Sequence, residues 1–206
     1  YEGKALLLLG DSVGSYGVDS ANPVGFVLGG RRGALERASR GAGLAPYVCG
    51  VPGERAQRAE EKKGRVMIGR EAGCRVAIIA YGRNDVGSNT AAQVIADLEA
   101  LGRSTGMRWL PATISPHTSS TDNWTTVGNQ TPVNAGVEAV RVAVNAAIRA
   151  GLPGASGFIE YADLVESARD SGRWRAGFTS EGLHPNEAGI VASAAAIDVS
   201  AITRFL

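Results

Sequence analysis

The first residues of this chain that could do chemistry form a short turn, Gly10-Asp11-Ser12-Val13-Gly14. It follows an apolar run, so the serine leaves a buried strand at its carboxyl end, and the flanking glycines permit the tight backbone that makes a hydroxyl protrude. A serine hydroxyl is inert at its own pKa and needs a neighbouring base. The chain has two histidines, which narrows the search. His184 stands in Glu181-Gly182-Leu183-His184-Pro185. A carboxylate three residues ahead can reach the histidine Nδ1–H, fix the tautomer and stabilise the imidazolium formed during attack. His117 has no carboxylate at useful spacing and is expected to stay outside the chemistry.

Two further pieces suit an oxyanion. Asn84, in Gly82-Arg83-Asn84-Asp85, is a neutral amide donor placed directly after an apolar run. Gly53, in Gly50-Val51-Pro52-Gly53-Glu54, offers a backbone N–H at close approach. Together these types read as acyl transfer on a serine. Each alone has a plainer reading: Ser12 as a helix N-cap, Asn84 as a turn residue, His184 as a surface histidine beside a helix start. Asp11 and Asp85 are expected to make loop hydrogen bonds.

The period of the apolar residues says what must position these groups. Short apolar runs predict strands at Lys4–Leu9, Pro46–Cys49, Arg75–Ala80, Met107–Thr113 and Ser156–Tyr161. Helical spacing predicts helices over Pro23–Arg40, Glu54–Arg70, Thr90–Ser104, Val133–Ala150 and from Pro185 to about Ile202. Strand and helix alternate throughout, as in an α/β chain whose parallel sheet is covered on both faces. Ser12, Gly53 and Asn84 then come after strands one, two and three, and His184 precedes the last helix, all on one face of the sheet.

This constellation resembles the SGNH hydrolases, the GDSL-like esterases and lipases named for their Ser, Gly, Asn and His blocks. The resemblance runs from Gly10 to His184 in the family's order. It implies Ser12 as nucleophile, His184 as base, and Gly53 and Asn84 as oxyanion donors. It also implies a three-layer α/β/α sandwich of flavodoxin-like type with a five-stranded parallel sheet, in one domain over residues 1–206. The family usually carries aspartate three residues before its histidine. Glu181 adds a methylene there, and some members orient the histidine with a backbone carbonyl instead. Val13 stands where the family tends to have leucine or isoleucine. With the family's strand order, Cys49 and Cys74 fall at opposite ends of the sheet, too far apart to bridge.

Rival chemistries find less support. Gly10–Gly14 also fits the nucleophile elbow of α/β-hydrolases, but that fold puts its serine after a later strand and its acid well before its histidine. No phosphate-loop motif occurs, and no His, Cys and carboxylate cluster suggests a metal, so no cofactor is expected. The net charge of +1 recommends neither nucleic acid nor an anionic membrane as partner. The apolar run Leu6–Leu9 is too short for a membrane span or a signal-peptide core, and the compartment stays open, secretion included. A first residue of Tyr1 fits a processed product or a piece of a longer chain.

The segment Ile114–Pro132 has no period and is rich in Ser, Thr and Asn. Coming after the fourth strand, it should emerge at the carboxyl end of the sheet, where open α/β sheets bind ligands. Its Trp124 is the candidate substrate contact. A polar loop with one tryptophan suits a sugar better than a fatty chain. The expected function is therefore a short-chain or carbohydrate O-acetyl esterase. The alternatives are a lipase or thioesterase for longer acyl chains, or an idle carbohydrate-binding domain on the same fold.

Overall fold

The structure, a computed structural model, describes residues 4–13, 33–61 and 63–206. Its main sheet has four parallel strands in the order β2-β1-β3-β4. These are β1 (Ala5–Gly10), β2 (Ala45–Val48), β3 (Val76–Ala80) and β4 (Arg108–Pro111). Their apolar runs are unbroken because each inner strand is buried on both faces. Leu6 and Leu8 of β1 join Val76 and Ile78 of β3 in one core, while Leu7 and Leu9 join Ala77 and Ile79 in the other.

Helices cover the two faces. Over the first core lie α1 (Ala34–Gly41), α6 (Ala162–Val165), α7 (Glu187–Ala196) and α8 (Ser200–Thr203). Over the second lie α2 (Ala56–Glu61), α3 (Gly64–Glu71), α4 (Ala91–Ser104) and α5 (Ala135–Ala150). On the second face two helix starts are set by side chains: Thr90 and Gln93 form a reciprocal capping box on α4, and the Asn134 oxygen accepts the Gly136 and Val137 N–H groups on α5.

The expected α/β architecture is present, with corrections. The fifth strand, expected over Ser156–Tyr161, is reduced to a single parallel bridge between Ala112 and Ile159. Gly157, with φ of +142°, turns the backbone out of strand geometry just before that bridge. The expected helix over Glu54–Arg70 is two helices, with Gly64 opening the second. The terminal helix starts later than Pro185, because Asn186 caps it by accepting the Gly189 N–H. It stops where extended backbone at Ile197 returns that side chain to the core, leaving the separate turn α8. Of the helix expected over Pro23–Arg40, residues 23–32 lie outside the described residues, and α1 is the described part. The segment after β4 is not wholly irregular: β5 (Thr118–Ser120) and β6 (Gln130–Pro132) pair as an antiparallel hairpin. No helix among the described residues is long and apolar enough to cross a membrane.

Asp85 ties the turn after β3 to α2, since its Oδ1 accepts the Ala56 N–H at 3.0 Å. Its other oxygen is buried without a partner among the described residues. Burial pushes this carboxyl up from 3.8 to about 6. A carboxyl whose pKa rises on folding contributes stability that is complete below its unfolded value and is lost as pH climbs through its folded value. The urea midpoint is therefore expected to fall between about pH 4 and 6, with Glu166, also raised to about 6 by burial, adding to the slope. Asp85→Asn should flatten that slope, and an unchanged slope would refute the assignment.

Candidate active site

Parallel pairing sets Gly10 of β1 beside Ala80 of β3, so the chain leaves both strands at one edge of the sheet. Asp11 organises the turn beyond β1. Its Oδ1 accepts the Val13 N–H at 2.9 Å and its Oδ2 accepts an Asn84 amide hydrogen at 3.3 Å, the loop bonding expected of it. Ser12 points its Oγ at His184, 2.8 Å from Nε2. On the other side of the ring, His184 Nδ1 lies 2.9 Å from Glu181 Oε1.

The extra methylene of glutamate is absorbed by the shape of the turn. Glu181 folds back over its own segment, and the same Oε1 accepts the backbone N–H groups of Leu183 and His184. Burial alone would raise this carboxyl. The bonds from the His184 ring and the two backbone groups outweigh burial and hold Glu181 below the usual carboxylate range, so it is ionised and suited to support an imidazolium.

Four neighbouring residues fix the turn. Thr179 accepts the Gly182 N–H at 2.9 Å and donates to the His184 carbonyl at 2.7 Å. The Gly182 carbonyl accepts both the Thr118 N–H of β5 and the Trp174 indole N–H, each at 2.9 Å. Trp124, expected in contact with substrate, lies over this turn, its indole N–H bonded to Thr118 Oγ1 at 2.9 Å. A Cβ at Gly182 would stand 1.9 Å from the Thr118 carbonyl oxygen and 2.7 Å from the Trp124 ring. With φ of +83° as well, position 182 requires glycine.

Gly53 lies in the exposed turn after β2, and no acceptor among the described residues takes its N–H or that of Ser12. Asn84 differs from the sequence expectation of a waiting donor. Its Nδ2 is shared between Asp11 and the Glu54 carbonyl at 3.1 Å, so both amide hydrogens are in use at rest. The Glu54 contact links Asn84 to the Gly53 turn. Glu54 itself is buried, held by Arg65 and by the Tyr81 hydroxyl at 2.7 Å.

Among known proteins, the sequence profile of the GDSL-like Lipase/Acylhydrolase family matches residues 8–190. The chain belongs to that family. It is an ester hydrolase. No curated protein matches its sequence. Similar solved structures include a GDSL-like lipase from Bacteroides thetaiotaomicron, with 12% identity, 93% of this chain and 84% of that chain covered, and a TM-score of 0.59. The psychrotrophic esterase EstA from Pseudoalteromonas, inhibited by monoethylphosphonate, shares 12% identity, with 93% of each chain covered and a TM-score of 0.60. A member of the lipolytic protein G-D-S-L family from Veillonella parvula shares 15% identity over 98% of this chain and 99% of that one, with a TM-score of 0.57. At such identities, what these structures share with this hydrolase is the fold.

Sequence reasoning passed over two groups that line the cleft beside Asn84 and Leu183. His117, set aside for want of a carboxylate in its own loop, comes within electrostatic reach of Glu181 and His184 through the fold. Burial, with Arg83 and His184 nearby, lowers its pKa. Arg83, the unremarked residue of its motif, is buried, which lowers its pKa to about 10 and leaves it cationic at neutral pH. The one signal for both was position: each comes after a strand, at the carboxyl edge. Cys49 and Cys74 are free thiols flanking β1 in the sheet order, and burial raises Cys74 to about 11. Among the described residues, no group of three or more His, Cys, Asp or Glu could hold a metal ion.

The Gly182 contacts carry a prediction. Gly182→Ala should destabilise the protein by at least about 2 kcal/mol, through a forced left-handed backbone and a clash with β5. Residual folded enzyme should have lost most of its esterase activity. A melting temperature and activity equal to wild type would show that the turn is not held this way.

Proposed function

We propose that this hydrolase cleaves short-chain esters of polar alcohols, most simply O-acetyl groups on carbohydrate, through an acyl-enzyme on Ser12. The observation that carries the reading is the relay of Ser12 Oγ, His184 and Glu181, with bonds of 2.8 and 2.9 Å, at the carboxyl edge of the sheet. In this reading Ser12 Oγ attacks the ester carbonyl carbon while His184 Nε2 takes its proton and Glu181 steadies the imidazolium. The oxyanion takes the N–H groups of Ser12 and Gly53. Asn84 joins them by giving up its long bond to Asp11. His184 then hands the proton to the departing alcohol, and water, activated by the same imidazole, releases the acid.

Support for a polar alcohol comes from the surroundings. The cleft beside Asn84 sets Arg83, His117, Asn134 and Glu138 among the apolar Val133, Val137 and Leu183, and the hairpin over the His184 turn presents Trp124 among Ser and Thr side chains. An aromatic ring amid hydroxyls and amides suits a sugar face better than an alkyl chain.

Hydrolysis of p-nitrophenyl acetate, butyrate and octanoate tests both parts. Rates should fall steeply with chain length, and Ser12→Ala should lower kcat by about 10⁶. A mutant with a tenth of the activity would sink the nucleophile, and a preference for octanoate would point to longer acyl chains. Glu181→Gln should cost about 10⁴ in kcat if its carboxylate orients the base. A loss under about tenfold would hand that role to a backbone carbonyl.

A further inference from the structure

We propose that the cleft between Arg83, His117 and the amino end of α5 binds a carboxylate carried by the alcohol part of the ester, so that the preferred substrates are acylated hydroxy acids or acidic sugars. The proposal rests on the esterase reading and narrows it to a substrate class.

Arg83 is the first reason. It is 7% exposed, yet its guanidinium has no carboxylate within salt-bridge distance among the described residues. Its one hydrogen bond to those residues runs from Nη1 to the Ser115 carbonyl at 3.0 Å. The remaining nitrogens are not among the sealed polar atoms, and Arg83 borders the cleft. Glu138 and Asp11 lie within electrostatic reach of Arg83 but form no ion pair with it, and a planar fork of spare N–H donors matches a carboxylate in shape and sign.

On the opposite wall, Asn134 borders the cleft and spends its side-chain oxygen on capping α5. The positive end of the dipole of this 16-residue helix lies at the same place. Three carboxylates oppose an anion: Glu138 borders the cleft, Asp11 lies within electrostatic reach of Arg83, and Glu181 within reach of His117. The Glu138 carboxylate is engaged by both Nε and Nη2 of Arg141, which answers its charge only in part. Arg141 is in turn paired with Glu166, and both are fully buried.

Position decides which part of the ester enters. Leu183, on the cleft wall, directly precedes His184. Since His184 gives its proton to the leaving alcohol, the side of the site that His184 borders is the alcohol's side. The cleft holds about 280 Å³, room for a hydroxy acid or one acidic sugar unit.

The test compares 4-acetoxybenzoate with its methyl ester, which differ in the charge on the alcohol part. The ratio of kcat/KM for acid over ester should be at least about tenfold higher in wild type than in Arg83→Gln, because intrinsic reactivity cancels between the two proteins. Arg83→Lys should keep part of the preference. In Ser12→Ala, calorimetry should show tighter binding of 4-acetoxybenzoate than of its methyl ester, a difference absent from the Ser12→Ala/Arg83→Gln double variant. If Arg83→Gln fails to fold, competitive inhibition of the wild type by 4-hydroxybenzoate should exceed that by 4-hydroxybenzamide. Equal ratios, equal binding or equal inhibition would overturn the carboxylate site. Failure of wild type to cleave either ester would count against the esterase reading, and the binding comparison in Ser12→Ala would still decide the site.

Discussion

The pairing of β1 with β3 has no exposed side. Leu6, Leu7, Val76, Ala77, Ile78 and Ile79 are wholly buried, so the two strands need helices above and below and cannot slip by a residue without turning a core face outward. Every group of the site inherits its position from that constraint. The nucleophile and the Asn84 amide leave neighbouring strands at the same level, and Asp11 bonds to both turns because the register brings them together. The histidine has no such strand behind it. It arrives on a turn that the hairpin after β4 and the Trp174 indole hold in place through one carbonyl oxygen, that of Gly182.

This division explains what could be read from the sequence. Ser12, Asn84 and Gly53 sit within a few residues of strong apolar runs, and a buried strand announces itself by composition and by the glycines that end it. His184 and Glu181 were legible through local spacing, because their contact is made inside one turn. Contacts between distant segments left no such mark. Nothing local to Thr118, Trp174 or Thr179 says that they close around residue 182, and nothing local to His117 places it near Glu181. The weak fifth strand is a related case. Its apolar pattern over Ser156–Tyr161 is genuine, but Gly157 turns the backbone away and leaves the single bridge at Ile159.

Asn84 shows a second limit. Residue type and position identified an amide donor at the sheet edge, but not that its hydrogens are already placed on Asp11 and Glu54 at rest. Holding the amide in this way fixes its rotamer before substrate arrives. An amide already oriented needs less reorganisation when charge develops than one searching through solvent, which is the physical basis of preorganised electrostatic catalysis. The bond to Asp11, at 3.3 Å, is the weaker of the two and the easier to exchange for an oxyanion.

The two halves of the relay are anchored unequally. Ser12 grows from an interior strand whose opening requires the whole sheet to separate, whereas His184 depends on a few hydrogen bonds to one turn. Segments held by few contacts open locally well below the temperature at which a core gives way. Heat should therefore silence the hydrolytic centre first, while the sheet is still intact, and cooling should restore it without a full refolding cycle. Inactivation in this protein is thus a question about a single turn, and durability under heat can be raised there without touching the core.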